Sequence, residues 1–301
     1  VGGNMPKRIF IIGSKDMSMD SAELLFKLTG SDFTRATYKG KRVHSRDAYN
    51  MKADTVDTTG YDDVIFIECN VPIIGDPTNI INIGHQKRWE YGYGKPPEEF
   101  WGASSLGQIW DMVVRGESTP KSRYKYVASS EYLSWAYKNR CTGIRPDFLF
   151  ERRVRTKAAY RKKTENFIKD DIDRASKVLD NIIKMGNILH MNGEDVIDLR
   201  DGFEICNKCR RIIFSDSVVY PPEDSSCLHL KSIKAYDFSE LLEASAKNGI
   251  PILLTKLDKG GCETKFFISA SDGRGAHELM HKWNLKDIYG DPGRGMVGGY
   301  V

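Results

Sequence analysis

The chain has 301 residues, with 45 Lys and Arg against 41 Asp and Glu, a net charge of +4, 40% hydrophobic and 29% charged residues. That length supports two domains with cores of their own, or one large one, and the composition is globular rather than fibrous or disordered. No apolar run approaches the roughly 18 residues of a membrane span, and six cysteines without a regular framework predict a reducing, cytoplasmic compartment.

Residues 1–4 read as a remnant ahead of Met5, and no secretory leader is expected. Residues 7–13 (KRIFIIG) are an apolar run closed by glycine, which predicts a buried first strand. A polar loop and a short apolar helix over 22–28 follow, then a second strand near 34–39. Residues 64–68 (VIFIE) predict another buried strand, and 79–89 a helix. This β-α-β rhythm is that of a Rossmann-like parallel sheet. No GxGxxG follows the first strand, where only Gly13-Ser14-Lys15 stands, and no GxxxxGK[ST] occurs, so neither a dinucleotide fingerprint there nor a P-loop is expected.

Residues 89–101 (WEYGYGKPPEEFW) form a loop with five aromatics. Beside Lys87, Arg88 and Lys95, the rings of Trp89, Tyr91 and Tyr93 could stack on bases, or simply pack on one another. Residues 124–129 predict a strand and 131–139 a helix. Residues 152–163 (RRVRTKAAYRKK) carry seven cations, a density suited to a phosphate backbone and equally that of a solvated helix face. Arg152, Arg153, Arg155, Arg161, Lys162 and Lys163 are therefore candidates for DNA contact. A long helix follows from 164 to about 185, with an apolar stripe at Phe167, Ile168, Ile172, Ala175, Leu179, Ile182 and Ile183. The basic connector and this helix predict two domains, 5–163 and 164–301.

In the second half, 195–199 predict a strand and 203–211 a helix. Residues 215–259 predict a strand at 217–220, a loop, a helix over 238–248 carrying Glu240 and Glu243, and a strand over 250–255. Such a unit places a ligand at the strand ends, where backbone N–H groups face phosphates and a carboxylate accepts from ribose hydroxyls. A strand over 265–269, a helix over 276–285 and a Gly-rich tail close the chain. Two motifs point to zinc. His277-Glu278-Leu279-Met280-His281 is an HExxH with Asp287 six residues on, a pattern of zinc hydrolases and equally of an amphipathic surface helix. Cys206, Cys209, Cys227 and His229 are a second candidate ligand set, irregular in its latter half. Asp147 and Glu151 are too close together for a nuclease pair with intervening strands.

Two regions together resemble the GT-B glycosyltransferases, nearest the phage DNA β-glucosyltransferases. Residues 61–87 (YDDVIFIECNVPIIGDPTNIINIGHQK), with the helix at 21–28, are similar to that group's N-terminal domain. Residues 242–251 (LEASAKNGIP) are similar to its donor-site helix and strand. The resemblance implies an α/β fold of two Rossmann-like domains facing a cleft, linked by the long helix. It implies transfer of a sugar from a nucleoside diphosphate, UDP in the first instance, to a hydroxyl on a modified base of phage DNA in the cytoplasm of the infected host. The nucleotide sugar is then a co-substrate, with no cofactor required beyond a possible divalent metal. Glu243, Glu240, Arg200, Gly202, Gly13, Ser14 and Asp16 become candidate donor contacts, and Asp111 or Glu68 the candidate base. A non-enzymatic nucleic-acid-binding protein is the alternative without chemistry.

Overall fold

The structure, a computed structural model of the chain, describes residues 6–45, 47–114, 120–192, 196–199, 203–206, 211–214, 228–232, 239–249, 252–257, 263–268 and 286–300. The chain divides into two compact units, Val1–Tyr132 and Leu133–Val301.

The first unit runs β1 (Arg8–Ile12), α1 (Met17–Thr29), β2 (Phe33–Arg35), β3 (Thr37–Tyr38), β4 (Lys41–Arg42), β5 (Val56–Asp57), β6 (Asp63–Ile67), β7 (Ile73–Ile74), β8 (Asn79–Ile83), α2 (Phe100–Ala103), α3 (Ser105–Val113) and α4 (Ser122–Ser130). Four strands form a sheet in the order β2-β1-β6-β8, and each neighbouring pair is parallel. A parallel sheet is covered on both faces, which is why its strands read as unbroken apolar runs. Alternation then sorts the side chains. Phe10, Ile12, Ile65 and Ile67 pack with α1 through Met19 and Phe26, with α3 through Leu106 and Ile109, and with α4 through Tyr124 and Val127. Ile9, Ile11, Val64 and Phe66 face the opposite way, onto Ala36, Val43, Ala48, Ala53 and Val71.

Helix α1 starts where Asp16 accepts from the Met19 N–H at 2.8 Å and ends at Gly30, in the left-handed region at φ 69°. Two expected elements are corrected. The helix expected over 79–89 is strand β8 at its beginning, because its β-branched isoleucines pair in parallel with β6 and complete the sheet. The strand expected over 124–129 is helix α4. Its Tyr124, Val127 and Ala128 fall at helical spacing, on one buried face.

The second unit contains α5 (Leu133–Tyr137), α6 (Pro146–Arg161), α7 (Glu165–Asn192), β9 (Val196–Leu199), β10 (Phe203–Cys206), β11 (Arg211–Phe214), β12 (Leu228–Ser232), α8 (Ser239–Asn248), β13 (Ile252–Leu257), β14 (Glu263–Ile268), β15 (Lys286–Asp291) and β16 (Met296–Tyr300). Its sheet order is β15-β16-β14-β13-β12-β11-β10-β9. The β11–β12 and β12–β13 pairs are parallel and the remaining pairs antiparallel. A second fully parallel sheet is therefore replaced by a mixed one. A βαβ unit is present as β12-α8-β13, with its first strand at 228–232, where a loop was expected; the strand expected at 217–220 lies outside the described residues. The helix expected over 203–211 begins as strand β10, paired on both sides, and the Gly-rich tail pairs as β15 and β16. The basic stretch expected as a connector lies largely within α6.

Phe26 is fully buried and stacks on Phe10 with ring centroids 4.4 Å apart. Phe26→Ala is expected to cost about 3–5 kcal/mol of stability. Leu28→Ala, on the exposed side of the same helix, should stay within about 0.5 kcal/mol. Denaturant midpoints of the two variants measure the difference.

Candidate metal centre

The chain leaves β1 and crosses through α1 to β2 on one side, then returns to β6 on the other side of β1. Strand order therefore reverses between β1 and β6, and in open parallel sheets the crevice that takes a ligand lies outside the C-terminal strand ends at such a reversal. The crevice is lined by what directly follows the strands: Gly13 to Asp16 after β1, Glu68 after β6, and His85 after β8.

Glu68 is buried, and its backbone sits in the left-handed region at φ 47°. That conformation is strained for a residue with a Cβ and recurs at functional sites. Gly13 lies directly against it. A Cβ on Gly13 would stand 2.4 Å from the Glu68 carbonyl oxygen, so only glycine lets the two strand ends approach this closely. The His85 imidazole, 2% exposed, lies between two carboxylates: Nε2 is 3.4 Å from Glu68 Oε1, and Nδ1 is 3.5 Å from Glu131 Oε2. Glu131 arrives from the end of α4, far along the chain. Serine hydroxyls orient both acids. Ser105 donates to Glu68 Oε1 at 2.5 Å and Ser18 to Glu131 Oε1 at 2.5 Å. The Gln86 amide stands 3.1 Å from His85 Nε2 and 3.5 Å from Glu68 Oε2.

One ligand atom from each of Glu68, His85 and Glu131 lies within 4.8 Å of the others. Ligands about 2.1 Å from one ion are up to about 4 Å apart, so small adjustments bring all three onto a single cation. Two carboxylates and an imidazole are the donors of a borderline-to-hard divalent ion such as Mn²⁺ or Zn²⁺. A cation there would also offset the repulsion of acids gathered in a desolvated space. Ser18 and Ser105 match the outer hydrogen bonds that fix ligating groups.

Asp16 keeps open surface at the rim, but protein crowds its carboxyl. That desolvation first, and the Glu68 carboxylate second, push it up to about 7, against the Met19 and Ser18 N–H groups and Arg42. Of the residues expected at the end of the first strand, Gly13, Ser14 and Asp16 are thus at the crevice, and Glu68 is at its centre. Asp111 is not part of it: it lies exposed on α3. Neither His85 nor Glu131 was legible as a site residue. The one available signal was the placement of Gly84-His85 directly after an isoleucine-rich stretch.

The expected donor carboxylate has another role. Glu243 on α8 is 0% exposed. Its carboxylate takes the Tyr137 hydroxyl, Arg153 Nε at 2.7 Å and Lys157 Nζ at 3.6 Å. Burial works to raise it, and the Arg153 and Lys157 charges overcome this and hold it below the ordinary glutamate range. Glu243 is therefore enclosed within its own unit and is corrected as a ribose contact. Arg153 is corrected as a DNA contact for the same reason. Arg152, Arg155, Lys162 and Lys163 remain exposed and Arg161 is half-buried, with Arg155 3.7 Å from Glu165. Trp89 and Tyr91 are 64% and 65% exposed, and Tyr93 is half-buried.

Glu240 lies in α8. Cys206 ends β10 and His229 lies in β12. Asp287 lies in β15. Arg200, Gly202, Cys209, Cys227, His277 and His281 lie outside the described residues, so neither zinc motif is represented among them as a set. Among the described residues no helix is long and apolar enough to cross a membrane. Comparison with known proteins finds no family model that matches the chain and no curated protein that matches it.

Two outcomes are expected. A folded-state carboxyl raised above the unfolded value of about 3.9 binds its proton more tightly in the native protein. Asp16 should therefore make the metal-free protein lose stability as pH rises from about 4 to about 7. Asp16→Asn keeps the helix cap and should be more stable than wild type at pH 8 and equal to it at pH 4, by melting temperature in chelator. Arg153→Ala leaves a buried carboxylate with less compensation and should cost about 3–5 kcal/mol, measured by denaturation.

Proposed function

We propose that this protein is a divalent-metal-dependent hydrolase of phosphoesters, acting at the crevice of the parallel sheet. The observation that carries the reading is the buried His85 imidazole held between Glu68 and Glu131 at the strand-order reversal. A divalent ion held by these three residues supplies Lewis-acid polarisation of a phosphoryl group. Asp16, with its carboxyl pushed up to about 7, is matched to accept a proton from an attacking water near neutral pH. The loops after β1 and β8 carry Lys15, Lys87 and Arg88, a local excess of positive charge that favours an anionic substrate. The exposed rings of Trp89 and Tyr91, on the loop that follows His85, favour a substrate bearing a base, a nucleotide or a nucleic-acid strand.

Sugar transfer from a nucleoside diphosphate, with Glu68 as base, would draw on the same sheet end. It needs a donor-binding carboxylate, and the enclosure of Glu243 leaves that reading with less support than hydrolysis. A cleft between two Rossmann-like domains likewise lacks the second parallel sheet it would call for.

The test is Mn²⁺ binding by calorimetry together with hydrolysis of bis-p-nitrophenyl phosphate and short oligonucleotides. Wild type should bind the ion and gain about 2.7 kcal/mol of stability at a hundredfold excess over Kd. Chelator should abolish activity. Glu68→Gln and His85→Ala should each lower kcat/KM by roughly 10²-fold or more, the loss expected when a metal ligand's outer support alone costs about 10- to 100-fold. If wild type binds no divalent ion, the hydrolase reading fails. If UDP-glucose stabilises the protein and no phosphoester is cleaved, the transferase reading replaces it.

A further inference from the structure

The loop that delivers His85 is closed on itself around a second buried acid. Glu90 is 4% exposed and lies outside the proposed metal ligands. Its Oε2 accepts the backbone N–H of Gln86 at 2.6 Å and of Lys87 at 3.0 Å, and its Oε1 accepts the Tyr49 hydroxyl at 2.6 Å. The backbone completes the ring. Gly92 N donates to Gly84 O at 3.0 Å, Glu90 N to Lys87 O at 3.0 Å, and Tyr93 N to Glu90 O at 3.1 Å.

Both glycines are required by contact. A Cβ on Gly84 would stand 2.5 Å from the Glu90 carboxyl, and one on Gly92 would stand 1.9 Å from the Ala103 carbonyl. The carboxylate therefore fills the inside of the turn, where a Cβ would otherwise lie. A buried carboxylate is an expensive way to fill space, since burial penalises its charge and here raises its pKa. An apolar side chain could pack the turn, but it could not gather two consecutive N–H groups.

Those two N–H groups belong to the residues directly after His85. Their direction fixes the peptide plane that leaves the imidazole, and with it the placement of Gln86 beside Glu68. We propose that Glu90 is the positioning residue of the metal centre: by clamping the Gln86 and Lys87 N–H groups it sets the imidazole of His85 between Glu68 and Glu131. The inference rests on the metal-centre reading and adds a residue that touches neither the ion nor the substrate.

The test uses the full chain, with Mn²⁺ affinity by calorimetry and the ligand-field absorption of the Co²⁺-loaded protein, both well below the melting temperature. Both N–H groups use one oxygen, so a glutamine at 90 could keep them by turning its NH₂ to the Tyr49 hydroxyl, whereas a methionine is of similar length and offers neither N–H an oxygen. Glu90→Met should weaken Mn²⁺ binding about 10- to 100-fold, as loss of outer-shell partners does. It should also shift the Co²⁺ spectrum and lower kcat more than it raises KM. Tyr49→Phe leaves both N–H groups clamped and should keep the wild-type Co²⁺ spectrum. If Glu90→Met fails to fold, Glu90→Asp, which keeps the charge but withdraws it from the turn, should show the same loss of affinity.

A folded variant at position 90 with wild-type Mn²⁺ affinity and Co²⁺ spectrum overturns the proposal. So does a Tyr49→Phe protein whose spectrum shifts as far as that of Glu90→Met. Wild type that takes up neither ion overturns the metal centre itself and the role of Glu90 with it.

Discussion

Close approach of two strand ends is the constraint on which the rest of the first unit depends. β1 and β6 are parallel neighbours, and Gly13 sits against the Glu68 backbone at a distance that admits no side chain. Strand order reverses between them, and in open parallel sheets that is where a ligand crevice lies. Glu68 meets that crevice in a strained conformation, held by the ladder on one side and by hydrogen bonds on the other. Its N–H donates to Ile83 O at 2.9 Å, which ties the end of β6 to the end of β8 and brings His85 alongside.

Charge follows from this geometry. Glu68 and Glu131 flank the buried His85, and a desolvated pair of carboxylates is tolerable only with compensation from hydroxyls, N–H groups, an imidazole or a cation. Ser18 and Ser105 supply hydroxyls and Gln86 an amide N–H. The same need is met differently in the second unit, where Glu243 is enclosed by Arg153, Lys157 and Tyr137. Both clusters contain buried acids. One lies at the C-terminal end of a parallel sheet, and the other is enclosed between helices and links α5, α6 and α8.

Much of the scaffold was legible in the residues. The apolar runs at β1 and β6 have the composition of strands buried on both faces, and the long helix shows its stripe at Ile168 and Ile172. Gly13, Ser14 and Asp16 were expected at the end of the first strand and Glu68 at the end of another, and the structure places them after β1 and β6. The misreadings share a cause. In NIINI and YKYVAS the local pattern suits more than one element, and the choice is made by neighbours remote in sequence: β6 completes one as a strand, and α3 buries the other as a helix.

What the sequence determined alone was a set of apolar strands, a long amphipathic helix and acids at strand ends, since periodicity and strand termini are local properties. What only the tertiary structure decided was which acids share a site. Glu131 meets His85 and Ser18 across long stretches of chain, and no spacing rule connects them. Glu243 and Arg153, both plausible surface contacts in one dimension, neutralise each other inside the second unit. The physical reason is the same in both cases: the energy of a charge depends on the solvent and charges around it, and folding alone sets that environment.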